Sequence, residues 1–204
     1  MKNKILDFIM NNITKYNNYN DVKLKEIRYG LESLYLSISK VIIILIISIF
    51  IHTTKYLCLF FITFGLLRLV AFGLHTNKTI ECWIGSLSIF TLIPYLIKDN
   101  IMINYTLSII LLIIICIYAP SDTKKRPLIN KKKRLIYKVL SIILSIIYII
   151  IIFTTNNLIF KNTLFFSLLL ESILILPTSY KLLGLTYNNY TSYKRKEDRN
   201  ESSN

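Results

Sequence analysis

The chain is poor in charge and poor in glycine. Only 18% of its 204 residues are charged and only five are glycine, whereas 53% are hydrophobic and the mean hydropathy is +0.52. A water-soluble domain of this length would have to cover that apolar load with polar surface it does not have. A bilayer removes the requirement. The glycine-rich and histidine-rich signatures of common enzymes are missing too: there is no GxGxxG, no Walker pattern and no HExxH. Three cysteines are too few for a disulfide framework. Cys58 (in YLCLFF) and Cys116 (in IIICIYA) lie deep in apolar runs, where free cysteine behaves as a small hydrophobe, while Cys82 has polar neighbours. The first 30 residues carry repeated charges and no uninterrupted apolar core, so no cleavable signal peptide is expected.

What the chain does have is apolar runs. Six of them, at roughly 33–51, 56–72, 82–97, 101–119, 137–153 and 158–176, approach the about 20 residues that a helix needs to cross a bilayer. Before them, Ile5, Leu6, Phe8, Ile9 and Ile13 recur at helical spacing between Lys2, Lys4, Asp7, Asn11 and Lys15, the pattern of an amphipathic helix lying on a membrane surface. A second short helix is expected around 22–31. The fold class that follows is all-α: a polytopic integral membrane protein with about six transmembrane helices and an N-terminal amphipathic helix. Three regions are expected: amphipathic, interfacial helices over 1–32, a transmembrane domain over 33–185, and a polar, disordered tail over 186–204.

The net charge of +14 could suggest nucleic acid, but the basic residues sit between apolar runs and form no stripe on a soluble face, so anionic membrane lipid is the better partner. Their distribution also sets an expected topology. With the amino terminus inside and six alternating spans, 22 of the 25 Lys and Arg residues fall on the inner side, leaving only Lys55, Lys98 and Lys161 outside. Both termini and the segment 73–82 are then cytoplasmic.

That segment holds the chemistry. His75, one of only two histidines, stands seven residues before Cys82. A thiolate is the nucleophilic form of cysteine, and a nearby imidazole can take the thiol proton and stabilise the anion. On one continuous helix seven residues span about 10 Å, too far for the roughly 3 Å contact that proton transfer needs. The chain must therefore break between them, at Gly73 and in Thr-Asn-Lys-Thr, with the next helix beginning near Ile80 or Glu81 and Cys82 in its first turn. Asn77, Glu81 and Ser86 are candidates to orient His75. Arg68 is costly inside a span unless paired or near water, and either edges the site or snorkels to headgroups. Glu171, the one acidic residue within these spans, could pair with it. The opposite-face His52 reads as an interfacial residue.

The order Arg68, Gly73, His75, Cys82 at the joint of the second and third spans resembles the accessory gene regulator B (AgrB) family of membrane peptidases in Gram-positive quorum sensing. Tyr29-Gly30-Leu31-Glu32 before the first span, and Ala119-Pro120-Ser121-Asp122-Thr123-Lys124 followed by Arg126-Pro127-Leu128 after the fourth, carry the likeness further. Phe72-Gly73-Leu74-His75-Thr76 departs from the two glycines and alanine that members often place around the histidine. The resemblance implies a cysteine endopeptidase, with Cys82 as nucleophile and His75 as base, that cuts an AgrD-like propeptide on its carboxyl side through a thioester and leads to a cyclic thiolactone or lactone. It implies a homodimer and no metal or organic cofactor. Arg68 and Gly73 would support the site. The basic residues Lys124, Lys125, Arg126, Lys131, Lys132, Lys133 and Arg134 could draw in an acidic propeptide tail. The alternative is a non-catalytic membrane peptide carrier or sensor. A transporter would want internal repeats and broken spans, and neither is evident in the sequence.

Overall fold

The computed structural model describes residues 2–16, 19–75, 79–99, 105–123, 128 and 130–191. Among these described residues eight helices follow in order: α1 (Lys2–Tyr16), α2 (Asp21–Phe50), α3 (Thr54–Ala71), α4 (Thr79–Lys98), α5 (Tyr105–Tyr118), α6 (Lys131–Thr154), α7 (Leu158–Ile175) and α8 (Pro177–Leu182). Asparagine opens three of them. The side-chain oxygens of Asn20, Asn130 and Asn157 accept from backbone N–H groups in the first turns of α2, α6 and α7, groups that have no partner inside a helix. Helices α2, α3, α4, α6 and α7 are long and apolar enough to cross a membrane, and α5 is a shorter apolar helix of 14 residues. The chain is an all-α polytopic membrane protein.

It divides into two units, Met1–Ile51 and His52–Asn204. In the first, α1 is tied to α2 by Lys2 with Glu32 and by Arg28 with Asp7 at 3.0 Å. The short helix expected over 22–31 and the first span are one continuous helix of 30 residues. The sequence offers no proline to separate them, and Gly30 alone costs only about 1 kcal/mol in a helix interior.

In the second unit α7 is the hub, with α3, α4, α5 and α6 packed against it. Phe60, Leu67, Ala71, Ile115, Leu168 and Ile175 are fully buried there. Polar groups are buried beside them. The Thr63 and Ser167 hydroxyls meet at 2.8 Å, Tyr148 Oη donates to the Thr63 carbonyl at 2.8 Å, and Ser172 Oγ donates to the Leu111 carbonyl at 3.3 Å. Lipid is as apolar as leucine, so burying leucine does little to bring spans together. Small side chains that permit close approach, together with interhelical hydrogen bonds, do that work. Helices α3, α5 and α7 all end at the same pole of this bundle, and that pole holds the site.

Candidate active site at the joint of α3 and α4

The end of α3 is tied to the ends of α5 and α7 through backbone groups. Phe72 and Gly73 take positive φ values, 63° and 88°, which turn the chain out of the helix. The Ser121 N–H then donates to the Ala71 carbonyl (3.0 Å), the Gly73 N–H to the Ser121 carbonyl (2.9 Å) and the Leu74 N–H to the Leu174 carbonyl (2.9 Å). Ser121 Oγ adds a bond to the Ile175 carbonyl at 2.9 Å. Carbonyls at helix C-termini lack intrahelical partners, and here those of Ala71, Leu174 and Ile175 become the sockets of the joint. Gly73 is required for its positive φ and also for space. A Cβ there would collide with Arg68 Nη1 and stand 3.0 Å from the Leu174 carbonyl oxygen.

Arg68, in the last turn of α3, faces this joint. Its Nη2 donates to the Leu74 carbonyl, and its Nη1 pairs with Glu171 Oε1 of α7 at 3.5 Å. The Arg68 side chain is 28% exposed and that of Glu171 is fully buried, so the pair runs from the rim of the joint into the bundle. Arg68 and Gly73 are thus brought together. Both backbone polar groups of Leu74 are held, one by α7 directly and one by the arginine that α7 pairs with.

His75 follows this clamped residue and is exposed. Cys82 lies half-buried in the first turn of α4, where the aligned peptide dipoles favour an anionic group, and Ser86 Oγ donates back to the Cys82 carbonyl at 2.7 Å. The chain is non-helical over 72–75 and helical again from Thr79, so the break required between His75 and Cys82 is there. Residues 76–78, and Asn77 with them, lie outside the described residues. Among the described residues no group of three or more His, Cys, Asp or Glu side chains could hold a metal ion.

A second polar knot lies after α5. The Asp122 carboxylate, 2% exposed, accepts from the backbone N–H groups of Asn189 (2.8 Å), Tyr190 (2.9 Å) and Leu128 (3.3 Å). Tyr180 Oη of α8 donates to the Asp122 carbonyl at 3.1 Å, and burial pushes that phenol up, which keeps it a neutral donor. Sequence reading singled out Ser121 and Asp122 only as part of a resembling segment. The one signal was a lone acid at the head of a basic link. Of the basic residues expected to meet substrate, Lys131, Lys132 and Lys133 are exposed in the first turn of α6. Arg134 instead stacks on the Tyr190 ring, its guanidinium carbon 3.8 Å from the ring centroid. Lys124, Lys125 and Arg126 lie outside the described residues.

Known proteins match this chain over most of its length. The family model described as accessory gene regulator B matches residues 3–175. A putative AgrB-like protein of Clostridium acetobutylicum is 30% identical over 195 residues, 94% of this chain and 93% of that protein. Accessory gene regulator protein B of Staphylococcus aureus is 36% identical over 120 residues, covering 57% of this chain and 64% of that protein. The protein of the same name from Staphylococcus saprophyticus is 33% identical over 132 residues, 61% of this chain and 70% of its own. No solved structure matches. A family match over nearly the whole chain, with a relative matched almost end to end, places this membrane protein in the accessory gene regulator B family.

Proposed function

We propose that this chain is the membrane cysteine endopeptidase of an agr-type quorum-sensing system, acting on an AgrD-like propeptide. The observation that carries the reading is the broken joint itself. His75 hangs from a clamped loop on one side, and Cys82 sits in the first turn of a helix on the other. In the reaction His75 takes the Cys82 thiol proton, and the sulfur attacks the scissile carbonyl carbon. The C–N bond breaks, the proton passes from His75 to the leaving amine, and the amino part of the propeptide remains as a thioester on Cys82. A thiol or hydroxyl of that same peptide then attacks the thioester carbonyl. A cyclic thiolactone or lactone leaves, and the Cys82 thiol is restored. The acyl–sulfur bond conserves the free energy of the cut so that the ring can close.

The site works from the cytoplasmic side, with both termini there, because that orientation keeps 22 of 25 basic residues inside. The chain acts as a homodimer amid anionic lipids. Exposed Lys131, Lys132 and Lys133 offer a cationic approach for an acidic propeptide tail, a pull that salt would weaken.

The test uses purified chain in lipid vesicles, mixed with an AgrD-like propeptide and followed by mass spectrometry. Cys82→Ala is expected to lose at least about 10³-fold in turnover, as removal of a nucleophile does. Cys58→Ala and Cys116→Ala should stay within about twofold, since those thiols lie in apolar helices. Cleavage that survives Cys82→Ala would reject Cys82 as the nucleophile, and absence of cleavage by the unaltered chain would favour a carrier or sensor.

A further inference from the structure

We infer that Glu171 is a positioning residue for the Cys82–His75 pair, acting through Arg68 on the backbone just before His75. The inference rests on the reading of Cys82 and His75 as nucleophile and base. A carboxyl group fully buried within a membrane bundle is expensive, and it persists where it is paired and has a task. Glu171 is fully buried, and its partner is Arg68 at 3.5 Å. The same guanidinium donates to the Leu74 carbonyl, and the Leu74 N–H is taken by the Leu174 carbonyl, three residues beyond Glu171 on α7. One turn of α7 therefore holds both polar groups of Leu74, and His75 follows directly.

Without the carboxylate, Arg68 is free to turn its charge toward water or headgroups, as long basic side chains near a membrane interface do. The Leu74 carbonyl then loses its donor, and the imidazole one residue on loses its fixed origin. An acid–base pair tolerates such drift poorly, because a misplacement of about 1 Å can cost on the order of 10²-fold. Gly73 reports on the same device from the other side. A Cβ at that position would push on Arg68 Nη1 and on the Leu174 carbonyl, the two groups that hold Leu74.

The experiment needs no substrate. The full chain carrying Cys58→Ala and Cys116→Ala is placed in lipid nanodiscs, and alkylation of Cys82 by iodoacetamide is timed at pH 6.5 and at pH 9. A thiol paired with imidazole reacts readily at the lower pH, whereas an ordinary thiol needs the higher one. His75→Ala sets the unpaired limit. Glu171→Gln is expected to slow alkylation about tenfold at pH 6.5 and leave the rate at pH 9 nearly unchanged. Glu171→Asp should retain much of the parent rate at the lower pH. Mere loosening of the bundle would behave differently, exposing the thiol and raising both rates together. A Glu171→Gln chain with the parent's rate at pH 6.5, or with both rates raised, overturns the positioning role. If Glu171→Gln does not fold, Arg68→Lys takes its place with the same expected profile, since lysine keeps the charge but lacks the planar fork that meets Glu171 and the Leu74 carbonyl together, and a parent-like profile there overturns the role equally. A parent that reacts no faster than His75→Ala at pH 6.5 would reject the Cys82–His75 pair itself, and the role of Glu171 with it.

Discussion

Helices α6 and α7 run side by side in the same unit and use their residues in opposite ways. The most apolar 18-residue stretch of α6 is more apolar than that of α7, yet α6 buries only Ser141, Ser145, Tyr148 and Ile152, and it exposes Ile143, Ile146, Ile147, Ile150 and Phe153. Helix α7, without so apolar a stretch, buries eleven residues, among them Asn162, Thr163, Ser167, Glu171 and Ser172. In water the reverse would hold, with isoleucines inside and hydroxyls outside. In a bilayer the apolar side chains dissolve in lipid, and the interior is marked by small and polar groups that pair across helices. The hub of this protein is identified by its serines, its threonine, its asparagine and one glutamate better than by its hydropathy.

Three substitutions would break or sharpen that contrast, each read by reversible unfolding in mixed micelles. The largest effect is expected for Ser167→Leu. It makes α7 more apolar, but it drives a bulky chain into a fully buried position and removes the hydroxyl partner of Thr63, for an expected loss of about 2–3 kcal/mol. Unchanged stability would mean that α7 is not the closed core. Tyr148→Phe comes next. It deletes only the donor to the Thr63 carbonyl and should cost about 1 kcal/mol, showing that the few buried groups of α6 are the ones that hold it. A gain in stability from this change would contradict the polar-interface account. Ile147→Leu, on the exposed face of α6, should shift stability by less than about 0.5 kcal/mol. A larger cost would place a partner, and not lipid, on that face.

The helices were legible in the sequence because hydropathy and helix capping are local. The six apolar runs all became helices, and the amphipathic run of Ile5, Leu6, Phe8, Ile9 and Ile13 became α1. Boundaries were less so. The third run, which reads as starting at Cys82, is helical from Thr79, because Glu81 and its polar neighbours extend the helix without adding to its apolarity. The break before Cys82 was readable from distance alone. The pairing of Arg68 with Glu171 was open as one option among several, since nothing local connects residues 103 apart. The grip of α7 on Leu74 was not readable at all, because its acceptor is a backbone carbonyl, a group that every residue possesses. The cage around Asp122 escaped for the same reason: its donors are main-chain N–H groups of a segment whose side chains announce nothing.

That cage has a consequence in time. Asp122 leaves the ribosome 67 residues ahead of Asn189, whose amide it will hold. At roughly 5–20 residues per second, several seconds of synthesis separate the carboxylate from its donors. Through that interval the carboxylate that follows α5 lacks two of its three N–H partners, and it becomes buried only when they arrive. The link after α5 can take its final shape only once α6, α7 and α8 have been made and residues 189–190 arrive to close it. The last described stretch of the chain thus acts as the latch of a joint begun much earlier, and a nascent chain stalled before it would hold its helices with that latch still open.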